Sequence, residues 1–541
     1  DQLSTSSSLT PSSSSPLPMA FLVMLLLVVV PLLVVVATQL WDYAVMRLVW
    51  RPDAISKWFR EQGIHGPSYG FLNGCNKDIR SLKEETDRLV LDVRDHKYLP
   101  RIAPHYLKWR AQYGDPFLYW HGAQARICVF NYELARQILS SKSGHFVKND
   151  VHPNFLALVG NKLGFMEGAD WVRHRRIINP VFTIDKLKMM TKTMLDFAET
   201  MVKELEHQAS RNENGEKQLH ISKFFSQLTV HNISHAIFGS SYELGNKVFQ
   251  AQIDLLRITM EAFLDVLIPG FKYLPTERNQ RRWMLERELK SLLTQIIQPR
   301  LATSEYGNDL LGVMLDSCIE TKQGGKQVDL SLSMDEIIHE CKQFFFAGHD
   351  TTSQLLTWSV YLLCIYPEWQ EKLRKEVFKE FGRESPNPNA LNKLKEMAMV
   401  LLETLRLYPP ALFMQRKAVT DMTVGSIKLP KGISIVIPIP VMHRDKEVWG
   451  DDADEFNPLR FKNGITGAAK VPHGLLAFSI GPRSCIGQNF AMLEAKSTLA
   501  LMLQKFSFTL SPDYVHAPVD MFTLKPKFGL PIFLRPLDKC N

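Results

Sequence analysis

One cysteine, Cys485, stands between two glycines in Phe478-Ser-Ile-Gly-Pro-Arg-Ser-Cys-Ile-Gly487, with Arg483 two residues before it and Phe478 seven before it. Cysteine chemistry is thiolate chemistry, and a thiolate must be kept ionised and shielded from oxidation. Gly481 allows a sharp turn, and Gly487, lacking a Cβ, lets a flat group lie close to the backbone. The apolar run Phe490, Ala491, Met492, Leu493 and Ala495 reads as a helix, so Cys485 falls just before a helix N-terminus. Free N–H groups and the positive end of the helix dipole there favour the anion and lower the thiol's pKa. The plainer reading of an isolated cysteine is a buried thiol that packs and nothing more.

The spacing F-x-x-G-x-R-x-C-x-G resembles the heme-binding loop of the cytochrome P450 family. The resemblance implies heme b, with Cys485 as the axial thiolate ligand of its iron. Arg483 would meet a heme carboxylate, and Phe478 would pack against the ring and the sulfur. It also implies a mainly α fold with a small β-sheet subdomain. That single large catalytic unit overrides the three or four domains that 541 residues suggest by length alone.

Three further stretches fit the same resemblance. Trp171-Val-Arg-His-Arg175 reads as helical, and positions i and i+4 share a face, so Trp171 and Arg175 project together. The resemblance makes them donors to a heme carboxylate, with Arg416 as a further partner beyond Pro409-Pro410. Ser333-Met-Asp-Glu336 has capping-box spacing and opens a helix that can run to Pro367. Inside it, Ala347-Gly-His-Asp-Thr-Thr352 resembles the family's oxygen-activating segment. Ala347 and Gly348 would leave room beside the heme, and Asp350 with Thr351 would form an acid–alcohol pair relaying protons. His349, in the variable position, is read as solvated or hydrogen-bonded and not as a ligand. Glu403-Thr-Leu-Arg406, in the company of Arg460, resembles the family's structural Glu-Arg-Arg triad. Leu459 stands where the family often has Glu.

Elsewhere the chain is read as scaffold and anchor. Residues 1–18 are Ser-rich with no Lys or Arg, and disorder is the expectation; Met19 is a candidate natural start. Residues 19–40 form an uncharged Leu/Val run long enough to cross a bilayer. Arg47, Arg51, Lys57 and Arg60 follow it, which puts the body on the cytosolic side. Residues 41–70 are read as linker and hinge around Gly63-Ile-His-Gly-Pro67, and 71–541 as the catalytic domain. Strand alternation appears near 115–132, and loops are expected at 210–217, 321–326 and 382–390. Seven scattered cysteines without a C-x-x-C pair exclude a disulfide framework or a zinc site. The net charge of +8 is too diffuse for nucleic acid and suits a membrane surface or an acidic partner. Asn232-Ile-Ser234 lies in an expected helix and is taken as a chance match to a glycosylation site.

The resemblance implies a monooxygenase using O2 and two electrons from NADPH through NADPH-cytochrome P450 reductase, held at the endoplasmic reticulum membrane. Residues around 151–165, 344–346, 411–414 and 521–524 are expected near the heme and are mainly apolar, so the substrate is hydrophobic. The sequence resembles a plant clan whose members oxidise fatty acids, cytokinins, brassinosteroids and terpenoids. In-chain hydroxylation of long-chain fatty acids is the preferred reading, with a hormone or terpenoid as the alternative. A reductase-independent isomerase or dehydratase would not need the Asp350–Thr351 pair, and neither would a heme sensor.

Overall fold

A computed structural model describes residues 19–537 except 143, 150–151, 211–216, 240–241, 266–269, 304 and 319–330. The expected leader at 1–18, the loop at 321–326, most of the loop at 210–217 and Cys540 therefore lie outside the described residues. The chain divides into two compact units, Asp1–Trp58 and Phe59–Asn541.

In the first unit, helix α1 (Met19–Trp41) has 23 residues and no charge in its first or last turn. That is about 34 Å of helix, against a bilayer core of about 30 Å. Residues 23–40 are exposed throughout, and mean hydropathy over the most apolar stretch is 2.8. The helix is long and apolar enough to cross a membrane. A chain lacking residues 1–40 is expected to leave the membrane fraction and still bind heme. Loss of heme would show that the apolar run belongs to the catalytic body.

The second unit is built on helices. Those that position the site are α2 (Gly168–Ile178), α3 (Ile221–Phe238), α4 (Met334–Ile365), α5 (Lys395–Leu407) and α6 (Gln488–Lys505). The capping box forms as read: Ser333 Oγ accepts from the Glu336 N–H at 3.3 Å, and Glu336 Oε2 accepts from the Ser333 N–H at 2.8 Å. Pro367 cannot continue the ladder, and α4 stops at Ile365. Between those ends lie 32 residues, most of them buried. Gly348 sits here for a reason other than the one expected. A Cβ on it would come within 2.4 Å of Ile233 Cδ1, so the glycine lets α3 pack closely on α4. Asn232, also on α3, is 3% exposed and donates to Glu494 Oε1 at 2.7 Å, which leaves no accessible glycosylation site.

A five-stranded sheet flanks the helices: β1 (Phe117–His121), β2 (Gln124–Cys128), β3 (Phe146–Val147), β4 (Phe413–Ala418) and β5 (Ser434–Pro438), in the order β1-β2-β5-β4-β3. Only β2 and β5 run parallel. A separate hairpin, β6 (Pro518–Met521) and β7 (Thr523–Pro526), turns at Phe522, whose φ is +70°.

Behind these elements the Glu403 triad is complete. Arg406 makes two bonds to the Glu403 carboxylate, 2.7 and 2.8 Å, with both side chains fully buried. Its remaining N–H groups reach the carbonyls of His443, Ala453 and Glu455. Arg460 Nε lies 3.7 Å from Glu403, and the same guanidinium pairs with Asp452 at 2.8 Å. Leu459 is 52% exposed and takes no part. Removing one partner of such a buried pair strands the other charge. Glu403→Gln is therefore expected to destabilise the fold by about 3–5 kcal/mol, read as a lowered Tm. A loss below about 1 kcal/mol, the range of an exposed pair, would overturn the structural role.

Candidate heme-thiolate site

The Cys485 loop is held by backbone geometry. Gly481 has φ +75°, and a Cβ there would come within 2.6 Å of Leu139 O and 2.7 Å of Ser140 Cα, so only glycine fits. The Cys485 N–H donates to Phe478 O at 2.8 Å and closes the loop. Gly487 caps α6, and a Cβ added to it would meet nothing within 4 Å.

The expected lowering of the thiol pKa does not survive the tertiary structure. Burial pushes Cys485 above its ordinary value, and it outweighs the opposing Gly487 N–H and the Arg175 charge. Protein surroundings alone thus favour the neutral thiol. A bound metal reverses the balance, because a coordinating thiol is deprotonated outright.

The cations named from sequence do converge, with two companions that were not named. Arg483 pairs with Glu167, donates to Met166 O at 2.7 Å, and lies 4.1 Å above the Trp171 ring. Arg416 is 3% exposed, and its guanidinium donates only to Gln415 O among the described residues, at 2.8 Å. Burial, with the Arg483 charge nearby, brings Arg416 down to about 10. Lys148 is brought down to about 7 by burial and by Arg416 and Arg483. Among the described residues, Glu167 is the carboxylate that offsets these cations. Arg175, on the same face of α2 as Trp171, reaches Ser484 O at 3.4 Å. Three cations around one carboxylate match a ligand that brings two more negative groups, as heme does. Lys148 and Glu167 belong to no motif, so no sequence signal marks them.

Lys148 gives this site a pH dependence. Carboxylates arriving beside it raise its pKa, so their binding is favoured fully below about 7 and less as pH rises through the bound-state value. Heme affinity is expected to fall on the alkaline side in the wild type, and the fall should be shallower in Lys148→Met. Equal slopes would remove Lys148 from the site.

On α4 the acid–alcohol pair is not joined. Thr351 Oγ1 donates to Ala347 O at 2.7 Å. Asp350 turns elsewhere: Lys525 Nζ donates to Oδ1 at 2.6 Å and Thr523 Oγ1 to Oδ2 at 2.7 Å, both from β7. Burial pushes this carboxyl up, yet Lys525, His349 and Thr523 together hold it below its ordinary value. Consecutive helix residues point about 100° apart, so adjacency in sequence did not bring the two side chains together. His349 is buried and bonds Phe345 O at 2.8 Å, which settles its reading in favour of a hydrogen bond over solvation.

The same geometry sorts the expected apolar lining. Phe346 meets Phe522 at 5.3 Å, and Phe155 meets Phe522 at 4.5 Å, centroid to centroid. Phe344 instead stacks on Phe182, and Phe345 on Phe238. Of that run only Phe346 joins the Phe155–Phe522 cluster. Ala411 bridges to Thr523, bringing the segment after α5 against the hairpin.

A cysteine loop before α6, an Ala347–Thr351 face on a long central helix, and a buried Glu403–Arg406 pair define a heme-thiolate oxygenase. The cytochrome P450 family model matches residues 100–532, and the chain belongs to that family of monooxygenases, which bind heme through a cysteine thiolate. It is 46% identical to cytochrome P450 709B1 of Arabidopsis thaliana, over 92% of this chain and 96% of that one. Cytochrome P450 734A6 of Oryza sativa subsp. japonica is 38% identical over 90% and 92% of the two chains. Secologanin synthase 1 of Catharanthus roseus is 39% identical over 92% and 96%.

Proposed function

We propose that this monooxygenase hydroxylates the alkyl chain of a long-chain fatty acid, with Cys485 as the iron ligand. The reading rests on the Phe155–Phe346–Phe522 cluster, which offers contact area and no hydrogen-bonding group. Such a surface suits an alkyl chain better than a polyhydroxylated ring, whose buried hydroxyls each need a partner. Bound heme supplies dioxygen activation, and the thiolate favours O–O cleavage. Lys148, Arg416, Arg483, Trp171 and Arg175 neutralise and orient the heme carboxylates. Ala347 lies along the heme face of α4, Gly348 lets α3 pack closely on that helix, and Thr351 holds a proton next to the oxygen side. Overall, RH + O2 + 2 e− + 2 H+ gives ROH + H2O. The electrons come from NADPH through a reductase, and α1 anchors the chain in the endoplasmic reticulum membrane with the body in the cytosol.

A second reading, oxidation of a terpenoid or plant hormone, is favoured by the similarity to secologanin synthase 1. Titrating the purified protein with palmitic acid, an iridoid glucoside and a plant steroid separates the two. Palmitic acid is expected to blue-shift the Soret band and to drive NADPH consumption in the presence of reductase. A response to the iridoid or steroid alone would replace the fatty-acid reading with the second one.

Two variants test the residue roles. Cys485→Ser is expected to lose the red-shifted Soret band that thiolate ligation gives the reduced carbon monoxide complex. Retention of that band would remove the iron assignment. Thr351→Ala is expected to bind substrate normally and to lower product formed per NADPH several-fold, with the missing electrons recovered as peroxide. An unchanged yield would take Thr351 out of proton handling.

A further inference from the structure

His174 sits on α2 about 100° around the helix from Arg175, and it faces α4. His174 and Glu340 are both fully buried, and His174 Nδ1 lies 2.6 Å from Glu340 Oε1. The other ring nitrogen, Nε2, lies 3.2 Å from Glu336 Oε1, one turn earlier on α4. Burial pushes Glu336 up, yet Arg173, the Ser333 N–H and His174 hold it well below the carboxylate range. Neutral imidazole has one N–H and one lone pair, so it can satisfy only one of these two carboxylates. Both contacts are hydrogen bonds if the ring is protonated, or if Glu340 is protonated and donates to Nδ1. Either way the His174–Glu340 pair holds one proton beyond an imidazole and a carboxylate.

The loop before α2 joins the same contact. Glu340 Oε1 also accepts from the Leu163 N–H at 3.0 Å, and Glu340 Oε2 has no partner among the described residues. The loop lies directly on α4. A Cβ at Gly160, where φ is +74°, would meet His339 O at 2.8 Å, and one at Gly164 would meet Gln343 Nε2 at 2.4 Å. On its other side Arg483 donates to Leu163 O and Met166 O and pairs with Glu167. The loop and α2 therefore lie between α4 and the Cys485 loop, clasped to the first by Glu340 and to the second by Arg483.

We infer that His174 and Glu340 are positioning residues for the heme-carboxylate donors: the proton they share seats α2 and its preceding loop on α4, and that seating sets where Trp171 and Arg175 point. The inference rests on heme binding by this family and is independent of the substrate. When the shared proton passes to solvent, a lone pair on Nδ1 faces Glu340 Oε1 and the two repel. The clasp is thus complete on the acid side and loosens as pH rises past the point at which that proton leaves. Glu336 and Glu340 of α4 face the imidazole, and Arg173 of its own helix and Lys162 of the loop bind Glu336 at 2.8 and 3.5 Å. The helix Leu310–Ser317, which also packs on α2, buries the apolar Leu310, Leu311, Met314 and Leu315.

Heme release to apomyoglobin and the resonance Raman band of the heme carboxylates, read on full-length, heme-loaded protein, test this without any substrate. His174→Phe keeps a ring and removes both nitrogens. It is expected to release heme several-fold faster than the wild type at neutral pH and to shift the carboxylate band in the direction that Arg175→Gln shifts it. In Glu340→Gln the amide can donate to a neutral His174, whose Nε2–H still serves Glu336, while the amide oxygen accepts from Leu163. That variant is expected to keep the wild-type release rate at neutral pH and to lose part of its alkaline rise, the remainder belonging to Lys148. An unmoved band in His174→Phe would overturn the proposal even with faster release, because lost packing alone gives that result. An alkaline rise in Glu340→Gln equal to that of the wild type would overturn it too. If Arg175→Gln itself leaves the band in place, the heme-carboxylate role of Arg175 fails, and the release comparison for Glu340→Gln still decides the shared proton.

Discussion

Lys148, Arg416 and Arg483 repel one another around the Glu167 carboxylate. On the other side of the Cys485 loop, burial drives the thiol toward its neutral form. Each arrangement is unfavourable by itself. A heme, with its metal and two carboxylates, would relieve both. Arg416 comes from the sheet, Arg175 and Trp171 from α2, and Arg483 from the Cys485 loop. Heme binding at these residues would therefore complete the charge balance of the fold as well as its chemistry.

Rigidity behind the site comes from a second set of charges with the opposite logic. Glu403 and Arg406 satisfy each other directly, and the guanidinium spends its remaining donors on three backbone carbonyls from residues 443–455. That pair fastens α5 to the segment that leads toward the Cys485 loop. The charges there are closed and structural. At Lys148 and Arg416, among the described residues, burial and like-charge proximity lower both pKa values instead.

On α4 two faces divide the labour. Ala347 and Thr351 lie on one, and Asp350 with His349 lies on the other, against β7 and a polar cavity. Gly348 serves neither, since its missing side chain makes room for Ile233 of α3. The hairpin β6–β7 meets α4 at two places. Phe522 at its tip packs with Phe155 and Phe346, and Thr523 and Lys525 reach Asp350. One short turn thus packs against the aromatic cluster and fixes the Asp350 carboxylate.

Local spacing alone specified the loop around Cys485, the capping box at Ser333, the apolar span of α1 and the Glu403–Arg406 pair. Each depends on residues within about ten positions of one another, where turn geometry, capping and helical period act without help from the rest of the chain. Tertiary structure decided what long-range approach controls. Lys148 and Glu167 joined the cation cluster through a loop and a helix start that carry no motif. Lys525, 175 residues from Asp350, holds the Asp350 carboxylate, a contact that no spacing along the chain announces. The pKa of Cys485 changed direction for the same reason: a helix N-terminus is visible in sequence, whereas the desolvation that outweighs it comes from the folded surroundings of the loop.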